Sequence, residues 1–219
     1  MSTQRPGEDV PDSRGRTGLH LVGLDLNRNP HVRVEDVRVV SDGWHVLRQT
    51  RLQLQRRDGR WDEARLETYD RGNGATVLPF DAGRRTVLLT RQFRYPVYVN
   101  DHPDGMMIEA AAGLLDADDP ETAIRREARE ELGIELGELT EVFQVYMSPG
   151  SVTERLHFYV AEYQQADARA EFAGLIDEGE EIEVLELELA EALSMIDRGE
   201  ICDGKTIMLL QWLALHRLV

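Results

Sequence analysis

Apolar residues along this chain follow two rhythms, and the change from one to the other predicts its elements. From Asp36 the period is two. Val37 and Val39, then Trp44, Val46, Leu47, Leu52 and Leu54, are interleaved with polar residues, as in strands with one covered face. Arg57-Asp58-Gly59-Arg60 interrupts the alternation, and because Asp-Gly readily supplies positive φ it marks a hairpin. Two or three antiparallel strands are therefore expected before Tyr69-Asp70-Arg71-Gly72-Asn73-Gly74. So small a ribbon cannot bury a core of its own, and a second subunit is expected to cover it. Further strands are predicted at 75–80 and 86–90 around a turn at Asp81-Ala82-Gly83, and at 142–146, 156–160 and 182–187. The longer period predicts helices over 120–132, about 189–197 and roughly 205–218. The first has Asp119 placed as N-cap, Pro120 in its first turn and Gly133 just past its end. Strands on both sides of one charged helix, followed by terminal helices, indicate mixed α/β with a mixed sheet. Residues 1–34 carry turn and breaker signals without periodicity and are expected to form a loosely held extension, with a short extended piece at Leu19-His20-Leu21-Val22.

Composition narrows the function classes. The 219 residues suit one domain, or a domain with a small appendage, and 42% hydrophobic with 30% charged residues is an ordinary globular mixture. No run approaches the roughly 20 apolar residues of a membrane-spanning helix, and the polar start lacks the apolar stretch of a secretory signal. Cys202 is the only cysteine, so no intrachain disulfide is possible and a reducing, cytoplasmic setting is expected. The net charge is -16, from 25 Lys and Arg against 41 Asp and Glu, which argues against a nucleic-acid partner. The acidic excess serves either solubility or the holding of divalent cations.

Spacing in one helix bears on that choice. Glu127 and Glu131 stand at i, i+4 on one face of the 120–132 helix, and Glu130 shares the edge. Like charges at that spacing repel, and they lie toward the helix end where the dipole disfavours anions. A divalent cation repairs both conflicts. A solvated acidic face paired with Arg125, Arg126 and Arg129 is the plain alternative, and spacing alone does not separate the two.

The ordered residues go further. Arg126-Glu127-Ala128-Arg129-Glu130-Glu131-Leu132-Gly133-Ile134, preceded by Ala112-Gly113-Leu114-Leu115-Asp116, resembles the Nudix box, and the chain is identified on it as a member of the Nudix hydrolase family. Within that family it resembles the GDP-mannose pyrophosphatase branch, close to the ADP-ribose and ADP-sugar pyrophosphatases. The strings that carry this are Tyr69 to Thr76, Arg91-Gln92-Phe93-Arg94, Tyr146-Met147-Ser148-Pro149-Gly150, Glu181 to Leu187 and Asp203-Gly204-Lys205-Thr206. They spread the similarity over about 35–217. One position departs from the general box: Asp119 stands where a glutamate is usual, and the loop before Arg126 is one residue shorter. This suits Asp119 to capping rather than to metal binding.

The resemblance implies a Nudix-type mixed β-sheet sandwiched by helices (71–219), an N-terminal antiparallel ribbon (35–70) for dimerisation and base recognition, and the extension ahead of it. It implies Mg²⁺, with Mn²⁺ as a substitute, held by Glu127, Glu131, the carbonyl of Ala112 and a loop carboxylate. Glu180 fits that last position, with Glu178 and Glu181 as neighbouring registers. It leaves Glu127, Glu180 or a metal-held hydroxide to take the proton. On the substrate side it implies Arg94 at the diphosphate, the turn residues Gly113 and Leu114, Glu154 and Lys205, and Trp44, Arg65 and Glu67 at the base. Trp44 serves equally as a purine stack or as buried ribbon packing, and Lys205 equally as an exposed residue at a helix start. Arg126, Glu130 and Gly133 are structural within the motif. The implied reaction is cleavage of a nucleoside diphosphate sugar by a homodimer, GDP-mannose to GMP and mannose 1-phosphate, with an ADP-sugar as the alternative substrate and a nucleotide-sensing module as the non-enzymatic one.

Overall fold

Val32 and Val34 alternate within the stretch read as a loose extension, out of phase with Val37 and Val39 because the pairing shifts register between Val34 and Asp36, and the first strand begins there. In the computed structural model, which describes residues 25–163, 172–173 and 181–216, β1 (Val32–Asp42), β2 (Val46–Gln55) and β3 (Trp61–Asp70) form a three-stranded antiparallel meander in sequence order. The extended piece expected at 19–22, and Glu178 and Glu180, lie outside the described residues. The β2–β3 hairpin turns where Asp58-Gly59 predicts it. Gly59 has φ 86, and the Arg56 N–H donates to the carbonyl of Arg60 at 2.7 Å. Val46, Arg48 and Leu52 share the buried face of β2. Arg48 donates from Nη1 to Oδ2 of Asp70 at 2.8 Å with both side chains closed to solvent. The other Asp70 oxygen accepts from the Gly72 N–H and from the Thr153 hydroxyl. Ser148–Glu154 belongs to this unit: Tyr69 donates its N–H to Ser151 and accepts from that of Thr153.

The second unit comprises Asn73–Met147 and Arg155–Val219. Its eight-stranded mixed sheet contains β4 (Gly74–Asp81), β5 (Thr86–Phe93), β6 (Met106–Glu109), β7 (Ala111–Leu114), β8 (Leu139–Val145), β9 (Leu156–Glu162), β10 (Phe172–Ala173) and β11 (Ile182–Glu188). The order is β10-β11-β5-β4-β9-β8, with β6 on β5 and β7 on β4. Only β4 and β9 run parallel. β4 is central and buried from Gly74 to Phe80, which is why its sequence reads as a continuous apolar run rather than an alternating one.

Alternation survives as a division between two cores. Ala75, Val77, Leu88, Tyr159 and Ala161 point to one face and meet Ile124, Ala128 and Leu132 of α2 (Pro120–Leu132). Leu78, Phe80, Val87, Leu89, Phe158 and Val160 point to the other, where α3 (Leu189–Asp197) supplies Ala192 and Met195 and α4 (Gly204–His216) supplies Leu209, Leu210 and Leu213. The expected architecture, a mixed sheet sandwiched by helices with an antiparallel ribbon ahead of it, is therefore found. α1 (Tyr95–Tyr98), one turn long, and the short strands β6 and β7 were not anticipated. None of them is long enough to show a period.

The Arg48–Asp70 pair generates a test. Replacing Asp70 with Asn leaves a buried guanidinium without its counter-charge, so D70N should lower unfolding free energy by about 3–5 kcal/mol in denaturant titrations. A change below 1 kcal/mol would show that the pair is not holding the ribbon.

Candidate active site

The α2 termini are set by local chemistry. Asp119 caps the first turn by accepting from the N–H groups of Glu121 and Thr122 at 3.1 Å, as its position suggested. Gly133 ends the helix in the left-handed region, φ 67, where a Cβ would be strained. Ile124, Ala128 and Leu132 pin one stripe of α2 to the sheet, and this carries the neighbouring stripe, Glu127 and Glu131, over β7.

There the helix meets Ala112 and Gly113. The Ala112 N–H donates to Oε2 of Glu131 at 3.1 Å, and Ala112 pairs with Thr76 of β4. A Cβ on Gly113 would stand 2.1 Å from Cδ of Glu127, so the glycine is required by the close approach of that carboxylate. Leu114, half-buried, pairs with Gly74. Glu131 is only 6% exposed. Burial first, and the Glu127 carboxylate second, push its pKa up to about 8, against the smaller opposing pull of the Ala112 N–H and of Arg94. Arg126 lies 2.8 Å from Glu127 and 3.5 Å from Glu130, nearer the first than the second.

A third carboxylate was missed. Glu109, at the end of β6, has a side chain 7% exposed and is met by two cations. Arg94 donates from Nε to Oε2 at 2.7 Å, and Lys205 from Nζ to Oε1 at 2.5 Å. Burial pushes the Glu109 carboxyl up, but Lys205 and then Arg94 outweigh it and hold the pKa below its ordinary value. Lys205 also reaches Asp203 at 3.0 Å, so it is not the freely exposed residue that its place at a helix start allowed. The missed signal was a lone charge in Met106-Met107-Ile108-Glu109-Ala110-Ala111-Ala112: a carboxylate in so apolar a run requires a buried partner.

Arg94, Ala112, Gly113, Glu127, Glu131 and Lys205 are thus gathered in one unit, joined through Glu109. The base-side candidates belong to the other unit, where Arg65 and Glu67 share one face of β3 and Trp44 stands apart from them. Trp44 is 87% exposed in the β1–β2 turn, which removes the buried-packing alternative within one chain. Arg65 and Glu67 on β3 face Arg51 and Gln49 of β2 in register. Gln49 lies five residues beyond Trp44, or about 16 Å along the strand. Glu154 is paired with Arg71 at 3.3 Å.

The donor chemistry fits a divalent cation at Glu127 and Glu131: two carboxylates, one of them desolvated, against Ala112 and Gly113, which form part of β7 and not the turn expected there. Among the described residues no group of three or more His, Cys, Asp or Glu side chains could hold a metal, and Glu180, the expected third, lies outside them. No helix among the described residues is long and apolar enough to cross a membrane.

Comparison with known proteins agrees with the geometry. The NUDIX domain model matches residues 70–210, and that of the GDP-mannose pyrophosphatase NudK N-terminal domain matches residues 31–69. A GDP-mannose pyrophosphatase of Salmonella paratyphi B is 49% identical over 182 residues, 83% of this chain and 94% of its own. Those of Klebsiella pneumoniae subsp. pneumoniae (49%, over 86% of this chain and 93% of its own) and Escherichia coli O1:K1 / APEC (48%, over 83% and 94%) are similar to the same extent.

Two measurements test the site. Gly113→Ala should expel the Glu127 carboxylate and lower activity on the order of 10²-fold, as when one electrostatic stabiliser is lost, with little change in melting temperature; unchanged activity would contradict the close approach. In chelator-treated protein, unfolded Glu131 ionises near its ordinary 4.5 while the folded group keeps its proton to about 8. The stabilisation is complete at low pH and is lost as pH rises through that interval. The melting temperature should therefore fall from pH 5 to pH 8, and Glu131→Gln should flatten that part of the profile.

Proposed function

Because the chain belongs to the Nudix hydrolase family, we propose that it hydrolyses the pyrophosphate bond of GDP-mannose, giving GMP and mannose 1-phosphate. The observation that carries this reading is the desolvated Glu131 beside Glu127 against Ala112 and Gly113 of β7, with Arg94 and Lys205 converging nearby on Glu109. The substrate assignment is supported by similarity that reaches through both the ribbon and the catalytic unit.

Nudix hydrolases generally use a divalent metal. Here it is read as Mg²⁺, with Mn²⁺ as substitute, and Glu127, Glu131, the Ala112 carbonyl and Glu180 would hold it. Such a cation supplies neutralisation of diphosphate charge and a lowered pKa for water. The protein's own groups do the rest. Arg94 and Lys205 bring cationic donors to the diphosphate, Arg's planar fork suiting phosphate oxygens. Gly113 leaves room for the Glu127 carboxylate, and Arg126 restrains it from the helix side. Water adds to one phosphorus while the bridging P–O bond breaks, and the two phosphate products share the oxygen and protons of water.

The ribbon is read as the dimerisation and base-recognition element. Exposed Val40, Leu66 and Tyr69 support a second copy covering it, and exposed Trp44 supports a base stack. A cytoplasmic setting accords with the single cysteine.

Phosphatase-coupled phosphate release from GDP-mannose, ADP-ribose and ADP-glucose tests the assignment, with GDP-mannose expected to show the highest kcat/KM. A higher value for an ADP-sugar would transfer the assignment, and cleavage of none would indicate a nucleotide sensor. Glu127→Gln should fold normally and lose on the order of 10²-fold or more in kcat at saturating Mg²⁺. Light scattering at micromolar concentration should return twice the chain mass, and a fully active monomer would exclude the dimer.

A further inference from the structure

Both oxygens of the Glu109 carboxylate accept from cations, one from Arg94 Nε and one from Lys205 Nζ. We propose that Glu109 is a positioning residue that sets the Arg94 guanidinium and the Lys205 ammonium in the place where they grip a diphosphate. The proposal rests on the nucleoside-diphosphate reading given above.

Two like charges on long side chains do not converge unaided. Each side chain carries roughly 2 kcal/mol of rotamer entropy, and the charges repel. A carboxylate between them removes the repulsion and fixes both heads. Arg94 spends only Nε on Glu109, and its side chain is 38% exposed, so the amino edge of the guanidinium stays available for phosphate oxygens.

Glu109 is itself held in a closed ring. Its carbonyl accepts from the Thr90 hydroxyl at 3.1 Å, and the next N–H, of Ala110, donates to Oγ1 of Thr206 at 2.7 Å. That hydroxyl donates to Asp203 Oδ2 at 2.6 Å, and the same oxygen receives Lys205 Nζ at 3.0 Å. Lys205 then returns to Glu109. The first turn of α4 and the end of β6 are thereby fixed to each other, and Lys205 is suspended between carboxylates from both. A buried network with every member satisfied resists rearrangement. This separates Glu109 from Glu131: both oxygens of Glu109 are met by cations of the chain, whereas Oε2 of Glu131 accepts from the Ala112 N–H.

Glu109→Gln supplies one acceptor and one donor in the same volume, so it can hold one cation and not both. We expect its Kd for GDP, measured calorimetrically with Mg²⁺, to rise about tenfold, the scale of one lost charge-assisted hydrogen bond. KM for GDP-mannose should rise in parallel, and the Mg²⁺ concentration giving half-maximal activity should not move. Arg94→Ala should also weaken GDP binding, and adding Glu109→Gln to it should weaken binding little further, because Glu109 acts through the missing group. A general structural lesion would instead add in full, and full additivity, or GDP binding by Glu109→Gln as tight as wild type, overturns the proposal. Should Glu109→Gln not fold, Glu109→Asp keeps the compensating charge with a reach shorter by one methylene; it should bind GDP several-fold more weakly, and unaltered binding would count against the proposal equally. A wild-type protein inert toward GDP-mannose would overturn the substrate reading alone, since the GDP titrations still measure the coupling.

Discussion

A carboxylate removed from water next to another carboxylate is the constraint around which the catalytic unit is arranged. Glu131 is held against the Ala112 N–H, and Glu127 fills the space that a side chain on Gly113 would need. Neither placement is favourable alone, since desolvation and like charge both drive the Glu131 pKa upward. Apolar burial elsewhere imposes it. Ile124, Ala128 and Leu132 lock α2 onto the sheet, and the rotation of the helix leaves the acidic stripe no other position. Local strain of this kind persists only where the surrounding core over-determines it.

The unit treats its buried acids in opposite ways. Glu109 is met by Lys205 and Arg94, which hold its pKa below the ordinary value, whereas at Glu131 the Ala112 N–H and Arg94 are outweighed by burial and Glu127, which push it up to about 8. Burial alone raises both; the difference lies in which charges the fold brings beside each. On the function proposed above, the first acid would order cations for an anionic substrate and the second would be left for a metal. The two arrangements meet across the few residues between Glu109 at the end of β6 and Gly113 of β7.

Much of the frame was legible in the chain. The α2 boundaries follow from Asp119, Pro120 and Gly133, each acting within one turn of its own position. The Asp58-Gly59 hairpin and the strands from β4 onward follow from local φ preference and from apolar runs. Where legibility failed, an element was too short to show a period, as with α1, β6 and β7, or polar residues masked it, as in β1 between Val32 and Val34 and the rest of that strand. Glu109 was missed because its significance lies in residues 15 and 96 positions away.

By itself, then, the sequence determined much that is governed by interactions a few residues long: the helix that presents paired glutamates, its caps, the hairpin, the apolar runs that become β4, β5 and β9, and a motif ordered enough to reveal the family. Only the tertiary structure decided which glutamate is desolvated, that Gly113 yields its space to Glu127, that Lys205 is suspended between Glu109 and Asp203, and that Trp44 stands open in its turn. Charge and solvation are properties of a neighbourhood, and a neighbourhood assembled from distant parts of the chain exists only once the chain has folded.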